Sequence, residues 1–433
     1  MISTVAIALA VLVALMSVGV AVPFCFGGAL FYMSVAGNVT MKGMMMWGLQ
    51  QILSPVLLCV PLFIFAGSLM SESGIAQHLL QWVDVFVGRI RGGMGCVAAI
   101  TCAIIGAISG SGFTGVAATG PILIPKMTKI GYPKGYATAL VTDSSILGLL
   151  IPPSVTMIVY GWVTETSILA CFLSTLIPGV IITILFSIIN LIWARRFPLV
   201  LEPKVSFDEK IRQFSTRTRM ALPALFMPVL ILGGIYGGIM TPTEAAATAV
   251  VYSLPIGFFV YRGLNVKTFC RVAKESATSV GAIMVMIMFS LMLSQTFVLL
   301  RVPQALVKGI FGVTQDRTVI LILLNFLMFF IGMIVNDLTG IILTAPLLLP
   351  LVQAIGVSPI HFAAIVGVNL AMGGVTPPYA SILYLGMRIG KVDFMEILPP
   401  AMTFILFGYI PVVFLTTFWP DLALWLPRLM GYV

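Results

Sequence analysis

Apolar runs of about 20 residues or more recur along the whole 433-residue chain. A helix needs about 20 mainly apolar residues to cross the hydrocarbon of a bilayer. Hydrophobic residues make up 60% of the sequence and charged residues only 9%, so the chain has too little polar surface to fold in water. These features predict an all-α polytopic membrane protein. They exclude a soluble enzyme, a nucleic-acid-binding protein and a disordered scaffold.

Nine runs are predicted to span the membrane: 4–33, 51–70, 137–163, 168–194, 221–240, 243–262, 278–300, 360–386 and 398–419. The first run has no basic residue ahead of it, which favours a retained span over a secretory signal. Two longer runs, 94–128 and 318–354, are interrupted by SGSGFTG (109–115) and NDLTG (336–340). Polar turns at membrane depth are tolerated only inside protein or beside a water-filled cavity. Both runs are therefore predicted to be re-entrant helical hairpins.

The basic residues predict an orientation for this layout. If each hairpin returns to its starting side, 18 of the 23 Lys and Arg residues fall on one side of the membrane. They form five clusters: Arg89 and Arg91; Lys126, Lys129 and Lys134; seven residues from Arg195 to Arg219; four from Arg262 to Lys274; and Arg388 and Lys391. The positive-inside rule makes that side cytoplasmic, with a cytoplasmic N-terminus and a periplasmic C-terminus.

Short polar or amphipathic segments connect some of these spans. We expect 71–91, 263–277 and 303–316 to lie flat at the membrane interface, either as partner-contacting arms or as connecting helices. The long hydrophilic segment 195–219 is predicted to be a cytoplasmic linker between two halves of the chain.

The two halves form an internal repeat at an offset of 225 residues. Pro121, Pro125, Pro152 and Pro153 each fall on a proline of the second half. Five predicted spans separate the hairpins, so the repeats are inverted. The division is a first repeat at 1–194, the linker, and a second repeat at 220–433. Inverted repeats with broken helices are typical of secondary transporters, whose sites lie at the repeat interface.

Each repeat places a proline pair after its hairpin, in GLLIPPS (148–154) and in GGVTPP (373–378). Proline lacks an amide hydrogen, so carbonyls upstream of each pair lose their helical partners. Those carbonyls and nearby hydroxyls can bind Na⁺, whereas the following helix N-termini favour an anion. Together they predict coupled symport. The alternative is that proline and glycine only kink packed helices.

Acidic residues within the membrane are candidates for function. Asp337, at the second tip, is expected to contact a cation or the substrate, or else to cap a helix. Asp143 and Ser144 face the same cavity or make structural hydrogen bonds. Glu244 has the pattern of a helix-capping residue. The two histidines and six cysteines show no metal-site spacing, and no catalytic arrangement indicates an enzyme.

Four motifs in order identify a family. SGSGFTGVAATGPILIPKMTKIGY (109–132), GLLIPPS (148–154), GIMTPTEAAATAVVY (238–252) and NLAMGGVTPP (369–378) resemble the large membrane subunit of tripartite ATP-independent periplasmic (TRAP) transporters. The resemblance implies Na⁺-driven uptake of a small organic anion, a carboxylate or sulfonate, by an elevator motion in the bacterial inner membrane. It implies two partners, a small four-helix membrane subunit and a periplasmic substrate-binding protein, and no cofactor besides Na⁺.

The resemblance also assigns site residues. The sodium-binding residues would be Ser109, Ser111, Gly112, Gly148, Pro152, Asn336, Thr339, Gly373 and Thr376. The substrate-binding residues would be Ser109, Gly110, Ser111, Gly112, Asp337, Thr376 and Pro377. Asp143 and Ser144 stand where the family pattern has small apolar residues. The alternative function is a stand-alone Na⁺- or H⁺-coupled symporter or exchanger that needs no binding protein.

Overall fold

The computed structural model describes residues 2–37, 40–87, 90–200, 207–378 and 380–433, and within these ranges it is helical, without a β-strand. Its first half contains α1 (Ile2–Ser17), α2 (Val22–Ala36), α3 (Met41–Ile52), α4 (Cys59–Glu72), α5 (Ile75–Val87), α6 (Gly93–Ser109), α7 (Gly112–Lys129), α8 (Lys134–Ser145), α9 (Val155–Val163) and α10 (Ile168–Ala194). Its second half contains α11 (Phe207–Tyr236), α12 (Pro242–Pro255), α13 (Val266–Leu299), α14 (Val302–Val313), α15 (Arg317–Ile334), α16 (Asp337–Ala354), α17 (Pro359–Val375), α18 (Ser381–Gly390), α19 (Phe394–Phe404), α20 (Ile410–Phe418) and α21 (Pro420–Leu429).

The helices of the two halves correspond at the offset of 225 residues. Helices α7 and α16 begin at Gly112 and Asp337, and α8 and α17 begin at Lys134 and Pro359. Helices α6 and α15 end at residues 109 and 334. Glycine and proline signals that recur at one spacing therefore produce the same helix starts and ends twice.

Both predicted broken helices are present. Helix α8 passes into a 3₁₀ turn at Ile146–Leu149 and resumes as α9, so the predicted span 137–163 is interrupted before its middle. The span predicted at 360–386 divides into α17 and α18. The proline pair lies in the gap in each case, where a helical amide hydrogen would be required. The Pro152–Pro153 and Pro377–Pro378 peptide bonds are both cis.

Both long interrupted runs fold as helical hairpins. In the first, α6 and α7 pack side by side, and the Tyr132 hydroxyl beyond the end of α7 accepts from the Gly95 amide near the start of α6 at 3.3 Å. That bond returns the hairpin to the face from which it starts. In the second, α15 and α16 form the matching pair.

The first predicted span was wrong. Residues 4–33 form two helices, α1 and α2, that pack against each other across the short turn 18–21. Gly19 adopts a φ of +86°, which glycine accepts without strain, and Pro23 lies in the first turn of α2. The predicted span 51–70 also begins too early, because α3 ends at Ile52 and α4 begins only at Cys59.

Three further boundaries differ from the sequence prediction. The segment 263–277 is not a separate interfacial helix, because it is largely the first part of the 34-residue α13. At 1.5 Å per residue, α13 is about 50 Å long and exceeds the hydrocarbon thickness. Residues 207–219 of the predicted linker belong to α11, and α21 was not predicted. Arg89 and linker residues 201–206 lie outside the described residues.

Length and composition make seven of the described helices candidates for spanning a membrane, or eight if α4 and α5 count as one bent span. Helices α4 and α5 meet at 69°, so α5 leaves the direction of α4 as an arm, as expected for 71–91. The predicted number of nine spans stays a prediction.

The predicted basic clusters meet on one face of the fold. Arg91 donates to the Arg195 carbonyl at 3.3 Å, and Lys134 donates to the Lys391 carbonyl at 3.0 Å. Lys126 and Arg217 both pair with Asp84 on α5 at 3.4 Å, as listed for their Nζ and Nη1 atoms. Helix ends far apart in sequence are therefore joined at this face, which we call the basic face.

Candidate functional site

The first hairpin tip is a glycine turn held against the first broken helix. Gly110 ends α6 in a left-handed conformation with φ +62° and donates its amide to the Gly106 carbonyl. A Cβ on Gly110 would lie only 3.1 Å from the Pro153 carbonyl oxygen and 3.2 Å from the Val155 nitrogen. Both the turn and the close approach thus require glycine at this position. Helix α7 begins directly after the turn.

The second hairpin tip uses a polar cap instead of glycine. Val335 and Asn336 are extended, and the Asn336 side chain accepts from the Leu338 amide at 3.0 Å. Asp337 is the first residue of α16, where the helix dipole stabilises its negative charge. The two tips therefore present the starts of two helices by different side-chain chemistry.

The two repeats touch at the centre of the molecule. A Cβ on Gly112, at the start of α7, would lie 2.8 Å from the Ile382 side chain of the second broken helix. A Cβ on Gly374, before the second proline pair, would lie 2.8 Å from the Ile146 side chain of the first. The breaks that are 225 residues apart in sequence thus lie side by side.

Glycines at equivalent positions allow each broken helix to approach its own hairpin. A Cβ on Gly148 would lie 2.5 Å from the Gly106 Cα atom, and one on Gly373 would lie 2.5 Å from the Gly332 carbonyl carbon. Real Cβ atoms do not come so close to backbone. Backbone therefore contacts backbone at both predicted sodium-binding glycines.

Both tips line one cavity of about 470 Å³. The first tip contributes Gly110 and Ser111, and the second contributes Asn336 and Asp337. Val155 places the start of α9 at the same cavity. Three helix N-termini, those of α7, α9 and α16, therefore meet here, and each presents backbone N–H groups and a positive dipole end.

The predicted site residues divide into two groups. Gly110, Ser111, Asn336 and Asp337 line the cavity. The others do not line it and lie beside the tips and breaks: Ser109, Gly112, Gly148, Pro152, Thr339, Gly373, Thr376 and Pro377. The second group is buried except for the half-buried Pro377.

The freed carbonyl of the first break already has protein donors. The Leu149 carbonyl accepts from the Ser154 hydroxyl at 2.6 Å and from the Thr156 hydroxyl at 3.3 Å. Ser109 donates to the carbonyls of Gly106 and Ser111 at 3.3 and 3.2 Å. The oxygens of the first predicted sodium site are thus largely bonded within the protein.

The second predicted sodium site differs. The Thr339 side chain is fully buried, and its hydroxyl has no hydrogen-bond partner among the described residues. Thr376 donates to the Met372 carbonyl at 2.7 Å, which leaves its oxygen lone pairs free. A buried hydroxyl without a partner is costly, so the position favours a ligand that supplies one.

Asp143 and Ser144 do not line the cavity. Both are fully buried, and their side-chain oxygens have no hydrogen-bond partner among the described residues. The expected structural hydrogen bond of Asp143 is absent from its side chain, although its backbone carbonyl accepts from Tyr409 at 2.9 Å. The capping role of Glu244 is confirmed, because it forms a reciprocal capping box with Thr241 at the start of α12.

Sequence reasoning missed much of the cavity wall. Thr114 and Phe113 come from α7, Ser68 from α4, and Ser279 from α13. Thr114 had a signal, since it matches Thr339 at the repeat offset. The residues on α4 and α13 had none, because they show no repeat match and no break in their helices.

The comparisons with known proteins agree with this architecture. Residues 7–422 match the family model described as the DctM component of the tripartite ATP-independent periplasmic transporter. The chain belongs to this DctM family. It is 32% identical to the ectoine/5-hydroxyectoine TRAP transporter large permease protein UehC of Ruegeria pomeroyi, over 94% of each chain. It is also 32% identical to the C4-dicarboxylate TRAP transporter large permease protein DctM of Pseudomonas aeruginosa, over 87% of each chain.

A solved structure shares the fold of this DctM-family protein. The crystal structure of the Alcanivorax borkumensis YdaH transporter superposes with a TM-score of 0.55 at 18% identity, covering 88% of this chain and 90% of that one. The predicted family and the all-helical transporter fold are therefore confirmed. The chain is a multi-pass TRAP permease component for organic acids and not an enzyme, and its family implies the bacterial inner membrane, a small membrane subunit and a periplasmic binding protein.

Proposed function

We propose that this DctM-family protein performs Na⁺-coupled uptake of a small organic anion, a carboxylate or a sulfonate. The observation that carries the proposal is the meeting of both hairpin tips at one cavity. Backbone N–H groups at three helix starts suit the acid group of a substrate. The buried oxygens beside the tips suit a desolvated cation.

Two sodium sites are proposed, one in each repeat. The first uses Ser109, Ser111, Gly112, Gly148 and Pro152, and the second uses Asn336, Thr339, Gly373 and Thr376. The unpartnered Thr339 hydroxyl supports the second site most directly. The substrate is proposed to contact Asp337 and the Ser109–Gly112 tip, with Thr376 and Pro377 nearby.

An elevator motion is proposed for the transport step. The cavity lies between two groups of helices: the hairpin tips and α9 on one side, and α2, α4 and α13 on the other. Only side chains of α2, α4 and α13 face the tips there, without a polypeptide crossing from one group to the other. The hairpins and broken helices can thus move as a unit against those helices.

The membrane orientation is also a proposal. We place the basic face in the cytoplasm because positive residues are retained there. Because α1 and α2 fold back on each other, the N-terminus then lies on the periplasmic side, opposite to the sequence expectation. The C-terminus stays periplasmic.

A periplasmic substrate-binding protein is proposed to deliver the substrate, and a four-helix membrane subunit is proposed to brace the large one. The relatives named for C4-dicarboxylate and for ectoine are each 32% identical to this chain, so identity does not choose between their substrates. A stand-alone symporter is the alternative. Uptake by proteoliposomes that is independent of any added binding protein would favour that alternative.

Thermal unfolding of the purified protein tests sodium coupling without knowledge of the substrate. The midpoint is compared in NaCl, KCl and choline chloride at matched ionic strength. A ligand at 100 times its Kd stabilises by about 2.7 kcal/mol, so specific Na⁺ binding raises the midpoint. We expect Ser111→Ala and Thr376→Ala each to weaken this Na⁺ effect while leaving expression intact. Equal midpoints in all three salts would argue against sodium coupling.

A further inference from the structure

The cavity has an unusual charge balance for a site that takes an anion. Asp337 is the only charged side chain that lines it, and the described lining includes no Lys, Arg or His. The remaining polar side chains are hydroxyls and one amide, among them Ser68, Ser111, Thr114 and Ser279. A plain anion would bind here beside an acid, and like charges a few ångströms apart repel.

The neighbouring cavity shows how the same fold neutralises acids elsewhere. That cavity, of about 270 Å³, shares Ser68, Phe113 and Thr114 with the first and is lined by Glu72 and Glu275. Arg271 pairs with both of these acids, at 2.9 Å and 3.7 Å. Asp337 has no such basic partner among the described residues, so its charge is available to a ligand.

We propose that the substrate is a zwitterion, an organic acid that also carries an ammonium-type cationic group. The cationic group binds the Asp337 carboxylate, and the acid group binds the N–H groups and hydroxyls at the start of α7. This inference rests on the proposed function and narrows its substrate class.

The position of Phe113 supports this assignment. Its ring lines the cavity and stacks on no other aromatic ring among the described residues. An aromatic face and a carboxylate form the pair of groups that binds an organic ammonium ion, because both attract positive charge. A simple carboxylate or sulfonate gains nothing from either group.

A coupling Na⁺ could also neutralise Asp337, and the geometry argues against it as the main role. The buried proposed ligands, such as Thr339 and Gly373, lie in the packed interior and do not line the cavity. The half-buried Asp337 faces the open space instead. A cation that meets Asp337 therefore occupies the volume of the substrate.

Matched probe pairs test the proposal. Each pair shares an acid group and chain length but carries an ammonium or a hydroxyl group: taurine and isethionate, β-alanine and 3-hydroxypropionate, γ-aminobutyrate and 4-hydroxybutyrate. The Kd of each is measured from thermal midpoints of the purified protein in saturating NaCl, with succinate included. We expect the ammonium member of at least one pair to bind at least tenfold more tightly than its hydroxyl partner and than succinate.

Variants separate the roles of the side chains. Asp337→Asn should abolish the preference for the ammonium member while the Na⁺ effect on the midpoint persists. Phe113→Leu should reduce the preference severalfold with the fold intact. Asp393→Asn makes the same charge change at an exposed helix start and should leave both properties as in the wild type.

Each other outcome overturns the inference. Equal or tighter binding of hydroxyl probes or succinate would do so and leave the proposed transport function standing. Loss of the Na⁺ effect in Asp337→Asn would make the residue a sodium ligand. Binding of no probe, with a Na⁺ effect present, would reject the zwitterion class as tested. Absence of both binding and the Na⁺ effect would count against the proposed function itself.

Discussion

The two hairpin tips have matching backbones and different chemistry. Both precede a helix that begins at the equivalent residue, Gly112 or Asp337, and both lie beside a proline-broken helix. The first tip turns at Gly110 and offers hydroxyl and N–H groups. The second turns without glycine and offers an amide and a carboxylate.

The difference separates what the repeat preserves from what it does not. Backbone geometry recurs, because glycine at 148 and 373 permits equivalent close approaches. Polar satisfaction does not recur, since Ser109 is bonded to two carbonyls whereas Thr339 has no partner among the described residues. An inverted duplication can therefore supply a symmetric frame in which each half takes a separate role.

The largest expected effect concerns the shared backbone geometry. Gly148→Ala and Gly373→Ala would each place a Cβ 2.5 Å from backbone that cannot move away as a side chain can. We expect each to lower the free energy of unfolding by about 1–3 kcal/mol, the usual cost of overpacking, and to lower the thermal midpoint.

Gly281→Ala is the matched control, because a Cβ on Gly281 of α13 would have no atom within 4 Å. A midpoint at or above that of the wild type is expected for the control. If only one of the two site variants is destabilised, the halves do not share the backbone contact and the comparison fails at its symmetric part.

The next effect concerns the unpartnered hydroxyl of the second half. Thr339→Val keeps the side-chain shape and removes the buried hydroxyl. Without Na⁺, the variant should be as stable as the wild type or more so, because no unsatisfied group remains. The half-saturating Na⁺ concentration should rise about tenfold, which corresponds to about 1.4 kcal/mol.

Thr339→Ser retains the hydroxyl and should retain the Na⁺ response, which makes it the control. Titration of the thermal midpoint with NaCl at constant ionic strength measures both variants. An unchanged Na⁺ response in Thr339→Val would mean that the second half, like the first, keeps its oxygens for the protein.

The sequence predicted those parts of the fold that depend on proline and glycine. Both hairpins and both broken helices follow from residues that forbid a continuous helix, so local chemistry was sufficient. The split of 4–33 was missed because Gly19 is a single small residue in an otherwise unbroken apolar run. The continuous α13 was missed because polar residues in its first part resemble a separate interfacial segment.

The candidate site was predictable only where sequence repeats or breaks. Gly110, Ser111, Asn336 and Asp337 were recovered because they form the tips. The wall from α4 and α13 depends on tertiary packing alone, and regular helices give no local sign of which residue faces a cavity. Ser68 and Ser279 therefore emerged only from the three-dimensional arrangement.

The smallest expected effect concerns the carbonyl freed by the first proline pair. Ser154 donates to the Leu149 carbonyl at 2.6 Å and caps the start of α9. Ser154→Ala should therefore cost about 1 kcal/mol, the typical value of a helix cap, and should leave the Na⁺ response unchanged. Thermal unfolding in NaCl and in KCl measures both quantities. A changed Na⁺ response would mean that the carbonyl serves the ion as well as the helix, and the first half would then resemble the second more closely than its hydrogen bonds indicate.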